Sequence, residues 1–259
     1  MKKSKLDSKP VSIFLLIFGI LGLLLMAHHI FSYEAILRPR MDYLLENKII
    51  TNGVSGAAFL RMFTNESNIF VDLFLILFAL GNLGIKPLYK FTHNELLRGA
   101  ITLYICVTGI IYFTVLLPFS QSFPMEKGIW FSNVINIWNH LIVPVVFTAL
   151  WFFPVENKVL PKVKNSLINL IFPILYFIMC IILGAVDGFY PYPFLNGPQM
   201  WEMLFKDKPY DSLIGTLLLV AVVIILSGIF FGVSTGLIAI HNKRVSEKAN
   251  EKVPAASTK

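Results

Sequence analysis

Residues 61–72, RMFTNESNIFVD, run straight into residues 73–83, LFLILFALGNL. The second part is apolar enough to lie in a bilayer. The first is crowded with polar side chains. On a helix each residue advances by about 100°. At that step Arg61, Thr64, Asn65, Asn68 and Asp72 fall within an arc of roughly 100°, and Met62, Phe63, Ile69, Phe70 and Leu73 take the other side. The stretch reads as a membrane helix with one wet stripe. Lipid cannot satisfy such a stripe, so it must face protein or a water-filled cavity.

The rest of the chain supports a membrane reading. Of 259 residues, 56% are hydrophobic and 14% charged; the charged share is about half that of a soluble domain. Mean hydropathy is +0.71. The expected fold is all-α, a polytopic bundle of six transmembrane helices with no separate soluble domain. A net charge of +7 could suggest nucleic acid, but basic residues gather at the cytoplasmic ends of membrane helices, and no nucleic acid partner is expected. Cys106 and Cys180 lie inside apolar segments without metal-site spacing, as reduced thiols used for packing.

In order, residues 1–10 form a short basic tip and residues 11–30 a first span, too long for a typical signal-peptide core. Further spans are expected over about 54–83, 95–117, 131–153, 166–186 and 211–240. The second is longer than a bilayer requires and is expected to tilt or project. Residues 11–240 thus make the membrane domain, and 241–259 a charged tail expected to be disordered. Six spans put both termini on one side. Fifteen of the 22 Lys and Arg residues fall on that side, which the positive-inside rule makes the cytoplasm. The expected location is the bacterial cell membrane. Internal repeat symmetry, the mark of many transporters, is not evident.

The fourth span carries a second stripe. Asn133, Asn136 and His140 share an arc of roughly 60°, flanked by Trp138 and Asn139, with Pro144 one turn on. From Thr64 to the inner end of its span is about 28 Å, and from His140 about 20 Å. Tilt narrows the gap, so both can share a layer in the outer half of the membrane. A threonine hydroxyl needs a base to become a nucleophile, and a neutral histidine suits that role. Asn65, Asn68 and Asn139 are candidate donors to an oxyanion. Asp72 and Asp187 are candidates to orient the histidine, Asp187 being favoured on depth. Each residue also has a plainer reading as interhelical glue.

At these residues the chain resembles a known membrane superfamily. Residues 63–68 (FTNESN), 138–144 (WNHLIVP) and 187–195 (DGFYPYPFL) are similar to its three marks. One branch comprises the eukaryotic androgen-induced and androgen-dependent membrane hydrolases; the other comprises bacterial six-helix membrane proteins, which this chain matches more closely. The resemblance implies hydrolysis of fatty acid esters of hydroxy fatty acids, with Thr64 as nucleophile and His140 as its partner. Asn65, Ser67, Asn68, Asn139 and Asp187 fall within the marks, and they join Asn136 and Asp72 as supporting polar residues on the reading of the stripes alone, not on the resemblance. The Pro- and aromatic-rich loop from Gly188 to Trp201 suits an outer cover at the membrane interface.

The expected partner is therefore a membrane lipid or lipid-like ester. The alternative is non-catalytic binding or transport of a lipid or small solute in the same polar cavity. A haem reading would need His28 or His29 to reach His140 from the first span. No cofactor or metal is expected.

Overall fold

A computed structural model describes residues 5–46, 60–117, 130–155, 158–205 and 208–250. Among them every regular element is helical. The chain runs through α1 (Lys9–Glu46), α2 (Phe63–Asn82), a short α3 (Lys86–Thr92) and α4 (Glu95–Ile111). After residues 118–129 come α5 (Trp130–Ile137), α6 (Val143–Trp151), α7 (Lys162–Asn169) and α8 (Ile171–Asp187). A short α9 (Gly197–Phe205) precedes α10 (Ser212–Asn250). Among the described residues six helical stretches are long and apolar enough to cross a membrane: Lys9–Phe31, Phe63–Asn82, Glu95–Thr114, Val134–Trp151, Lys162–Asp187 and Ser212–Ala249. Each is a helix because lipid offers nothing to bond a peptide group, so every N–H and C=O must be satisfied within its own segment.

Besides α1, which stays helical to Glu46 past the expected end of the first span at residue 30, two expected boundaries change. The second span starts at Phe63; residues 60–62 are a turn, and 54–59 lie outside the described residues. The turn is held from outside the helix: the Tyr176 hydroxyl donates to the Arg61 carbonyl (2.6 Å) and accepts from the Phe63 N–H (3.0 Å). Tyr176 thus satisfies a backbone donor that a helix start leaves open. The second change is at the C-terminus, where the helix continues through residues 241–250 instead of dissolving at 241. His241 is fully buried and bonds the Lys158 carbonyl through Nε2 (2.8 Å). Asn242 grips Leu160 twice, accepting from its N–H and donating to its carbonyl. Lys248 donates to the Pro154 carbonyl at 3.1 Å.

α4 is the central post, touching α2, α6, α7 and α10. On one side Leu103, Tyr104 and Val107 pack with Phe63, Tyr176, Phe177 and Phe230. On the other, Ile101 and Ile105 pack with Phe18, Val71, Phe74 and Phe147. Its start is capped by Asn94, whose side chain accepts from the N–H groups of Leu96 and Leu97, a cap worth ~1 kcal/mol. Arg98 is buried. It pairs with Glu95 at 3.1 Å and donates to the Trp151 and Phe153 carbonyls that end α6. Glu95 in turn accepts from the Val155 N–H at 2.7 Å.

α1 and α2 meet at close range because of two glycines. A Cβ on Gly19 would come within 2.7 Å of the Asp72 carbonyl oxygen, and one on Gly22 would collide with the Asp72 carboxylate. Small residues at such positions let membrane helices approach backbone to backbone.

Candidate functional site

The wet stripe of α2 faces protein, as a lipid-surrounded helix requires. Asn65, Ser67, Asn68 and Asp72 are all buried. Ser67 shares a hydrogen bond with Thr108 of α4 (2.8 Å) and donates to the Thr64 carbonyl (3.0 Å). The Asn68 amide nitrogen lies 2.7 Å from the Thr64 carbonyl and 3.1 Å from the Asn139 carbonyl. One amide group therefore ties the turn that carries Thr64 to the residue before His140. Asp72, a turn deeper, lies against Gly22 of α1.

Thr64 sits in the first turn of α2, where backbone N–H groups have no helical acceptor. It lines a small cavity of about 30 Å³ with Thr108, Tyr176, Tyr192 and Phe230, enough for a water. The Tyr192 phenol lies against the Thr64 hydroxyl and the N–H groups of Thr64 and Phe63. Burial pushes that phenol up, and the Thr64 contacts oppose the shift in part. Tyr192 therefore remains a neutral hydroxyl at ordinary pH, able to donate.

His140 sits in a π-helical turn, Trp138–Ile142, closed by the Val143 N–H on the Trp138 carbonyl. Pro144 supplies the cause: it has no N–H for the His140 carbonyl, and its ring crowds the preceding turn. A second π-helical turn, Tyr112–Leu116, extends α4 alongside it. The two turns are bridged by a stack of the His140 and Tyr112 rings, centroids 3.8 Å apart. Asn136 completes the group, donating to the Tyr112 hydroxyl at 2.8 Å. His140 Nδ1 lies 3.0 Å from the Asn136 carbonyl. A carbonyl can only accept, so Nδ1 carries the proton and Nε2 of the neutral ring keeps a lone pair.

The orienting partner of His140 is thus a backbone carbonyl rather than Asp72 or Asp187. Asp187 is paired with Arg61, whose guanidinium also lies over the Phe189 ring. That pair joins the start of α2 to the end of α8, where Gly188 turns the chain at φ 77°. The structure gathers Thr64 with Thr108 and Tyr192, and His140 with Tyr112 and Asn136. The His140 ring is not among the side chains lining the Thr64 cavity. His140 lines a groove of about 620 Å³ between α4 and α6 instead. His29 of α1 lies within electrostatic reach of its ring. The side chain of Asn133 falls outside the described residues.

Tyr112 and Tyr192 escaped the sequence reading. Tyr192 sat inside the quoted loop, but a tyrosine there reads equally as an interfacial anchor. Tyr112 became visible only once the π-helical turns set the rotation of both helices.

Comparison of the chain with protein-family models, with curated proteins and with solved structures finds no match.

Proposed function

We propose that this multi-pass membrane protein is an intramembrane hydrolase of lipid esters, with Thr64 as nucleophile and His140 as general base. The observation that carries the reading is a hydroxyl in the first turn of one helix and an imidazole with a bare Nε2 on another, the two joined through Asn68. The resemblance of the three sequence marks supports the same pair.

In this scheme the Thr64 hydroxyl attacks the ester carbonyl carbon and its proton passes to His140 Nε2 by way of water, since the two side chains line separate spaces. The Tyr192 hydroxyl, beside Thr64, holds the oxyanion. The alcohol leaves with the proton from His140. A water, deprotonated by the same imidazole, then cleaves the acyl-threonine and releases the acid.

The test is labelling with a fluorophosphonate probe. Wild type is expected to label at Thr64, and Thr64→Ala and His140→Ala to lose the label. Labelling that persists in both variants removes the reading.

One observation favours the alternative, a non-catalytic lipid or solute binder. Thr64 and His140 line separate spaces. Under that reading a bound lipid survives Thr64→Ala and no ester is turned over by wild type.

A further inference from the structure

The groove beside His140 has a polarity pattern that selects a ligand. It is bounded by Gly109, Ile110 and Phe113 on the α4 side and by Leu141, Val145 and Phe152 on the α6 side. From His140 to Phe152 it extends about 18 Å along the helix. Its volume of about 620 Å³ lies in the range of small-molecule pockets, roughly 300–1,000 Å³. Gly109 brings the helices together at its floor, since a Cβ there would come within 3.1 Å of Pro144.

Four side chains along it carry polar atoms, and three are already engaged. Thr114 donates to the Ile110 carbonyl at 2.7 Å. Cys106 and Thr148 bond each other. The fourth is His140, whose Nδ1–H is committed to Asn136. What remains is a largely apolar channel whose open polar positions all accept: the lone pairs of the threonine hydroxyls, and the Nε2 lone pair of His140 at one end. Both walls depart from α-helical register beside that end, and π-helical turns concentrate at functional sites.

We infer that the groove between α4 and α6 seats one alkyl chain of a membrane amphiphile whose polar end donates an O–H to His140 Nε2. The occupant is a chain because the groove lies within the spanning segments, where lipid tails are the surrounding medium. The head must donate because Nε2 of this tautomer can only accept. A long-chain alcohol satisfies that demand, and so does a protonated fatty acid. An ester without a hydroxyl does not. In the hydrolase reading this would be the seat of a released alcohol or acid. The inference itself rests on the groove and stands without turnover.

The probe is hexadecan-1-ol carrying a mid-chain diazirine, photolysed with the full-length protein in phosphatidylcholine nanodiscs. Label is expected in residues 106–114 and 141–152. Ala149→Trp and Val145→Trp fill the groove from lipid-exposed positions and should each lower labelling about tenfold. Ile224→Trp, on the exposed face of α10, should leave it unchanged. Unlabelled hexadecanol should compete at least tenfold better than methyl palmitate, and His140→Phe should erase that preference. Thr64→Ala should label as wild type does, which separates this inference from the hydrolase reading. Label spread evenly over the lipid-facing helices, or unaffected by both groove-filling variants, would mean annular lipid only and overturn the inference. Equal competition by alcohol and ester in wild type would overturn the role of His140.

Discussion

The ring of His140 lies on the ring of Tyr112, centroids 3.8 Å apart and planes 20° from parallel. Each ring comes from a π-helical turn on its own span. The contact fixes which way the imidazole faces, and with it where Nε2 is offered. Tyr112→Phe keeps the stack and removes the hydroxyl that Asn136 bonds. A cost of about 1 kcal/mol is expected, with label competition nearly unchanged. Tyr112→Ala removes the stack and frees the ring. It should reduce the alcohol-over-ester preference as strongly as His140→Phe does, read in the same competition assay.

The close approach of α1 and α2 invites a suppressor test. Gly22→Val places a branched side chain on the Asp72 carboxylate. It should lower the thermal midpoint of the purified protein by several degrees, consistent with an overpacking cost of about 1–3 kcal/mol. Gly22→Val with Asp72→Ala should recover most of the loss, because the second change removes the atoms struck. No recovery in the double variant would mean that the Asp72 side chain is not what excludes a larger residue at 22.

The Arg98–Glu95 pair is a clamp on the end of α6. Arg98→Met removes the guanidinium that pairs with the buried Glu95 and opens two carbonyls. A loss of about 3–5 kcal/mol is expected, measurable by denaturant unfolding in mixed micelles. Glu95→Gln keeps an acceptor for the Val155 N–H and should cost less than Arg98→Met.

Tyr192 yields a pH prediction. Its phenol is held above the ordinary tyrosine value, first by burial. A raised folded-state value stabilises the protein below the unfolded value, near 10, and that contribution fades as pH rises through the folded value. Wild type should therefore lose stability faster than Tyr192→Phe above about pH 10 and show no such difference between pH 6 and 9. Melting curves across that range provide the check.

Much of the fold could be read from residues 61–83 and their like, because a bilayer admits few solutions for long apolar runs. The burial of Asn65, Asn68 and Asp72 followed from the angle they share on one helix. The start of α2 was missed because its determinant, Tyr176, lies more than 100 residues away. The helical tail was missed because residues 241–250 look solvated locally, whereas His241 and Asn242 are held by the backbone of 158–160. The orientation of His140 is illegible for a related reason: the carbonyl four residues back that fixes it is one that every helix supplies, whatever the sequence.

The helical run through residues 241–250 also has a practical side. Its side chains tie down the segment linking the fourth and fifth spans, so this run works as a fastening rail for that connection. Trimming at residue 240, as hydropathy alone would suggest, would release that connection and loosen the neighbouring Glu95 clamp. Affinity handles and fusion partners belong after residue 250, where they leave the rail whole.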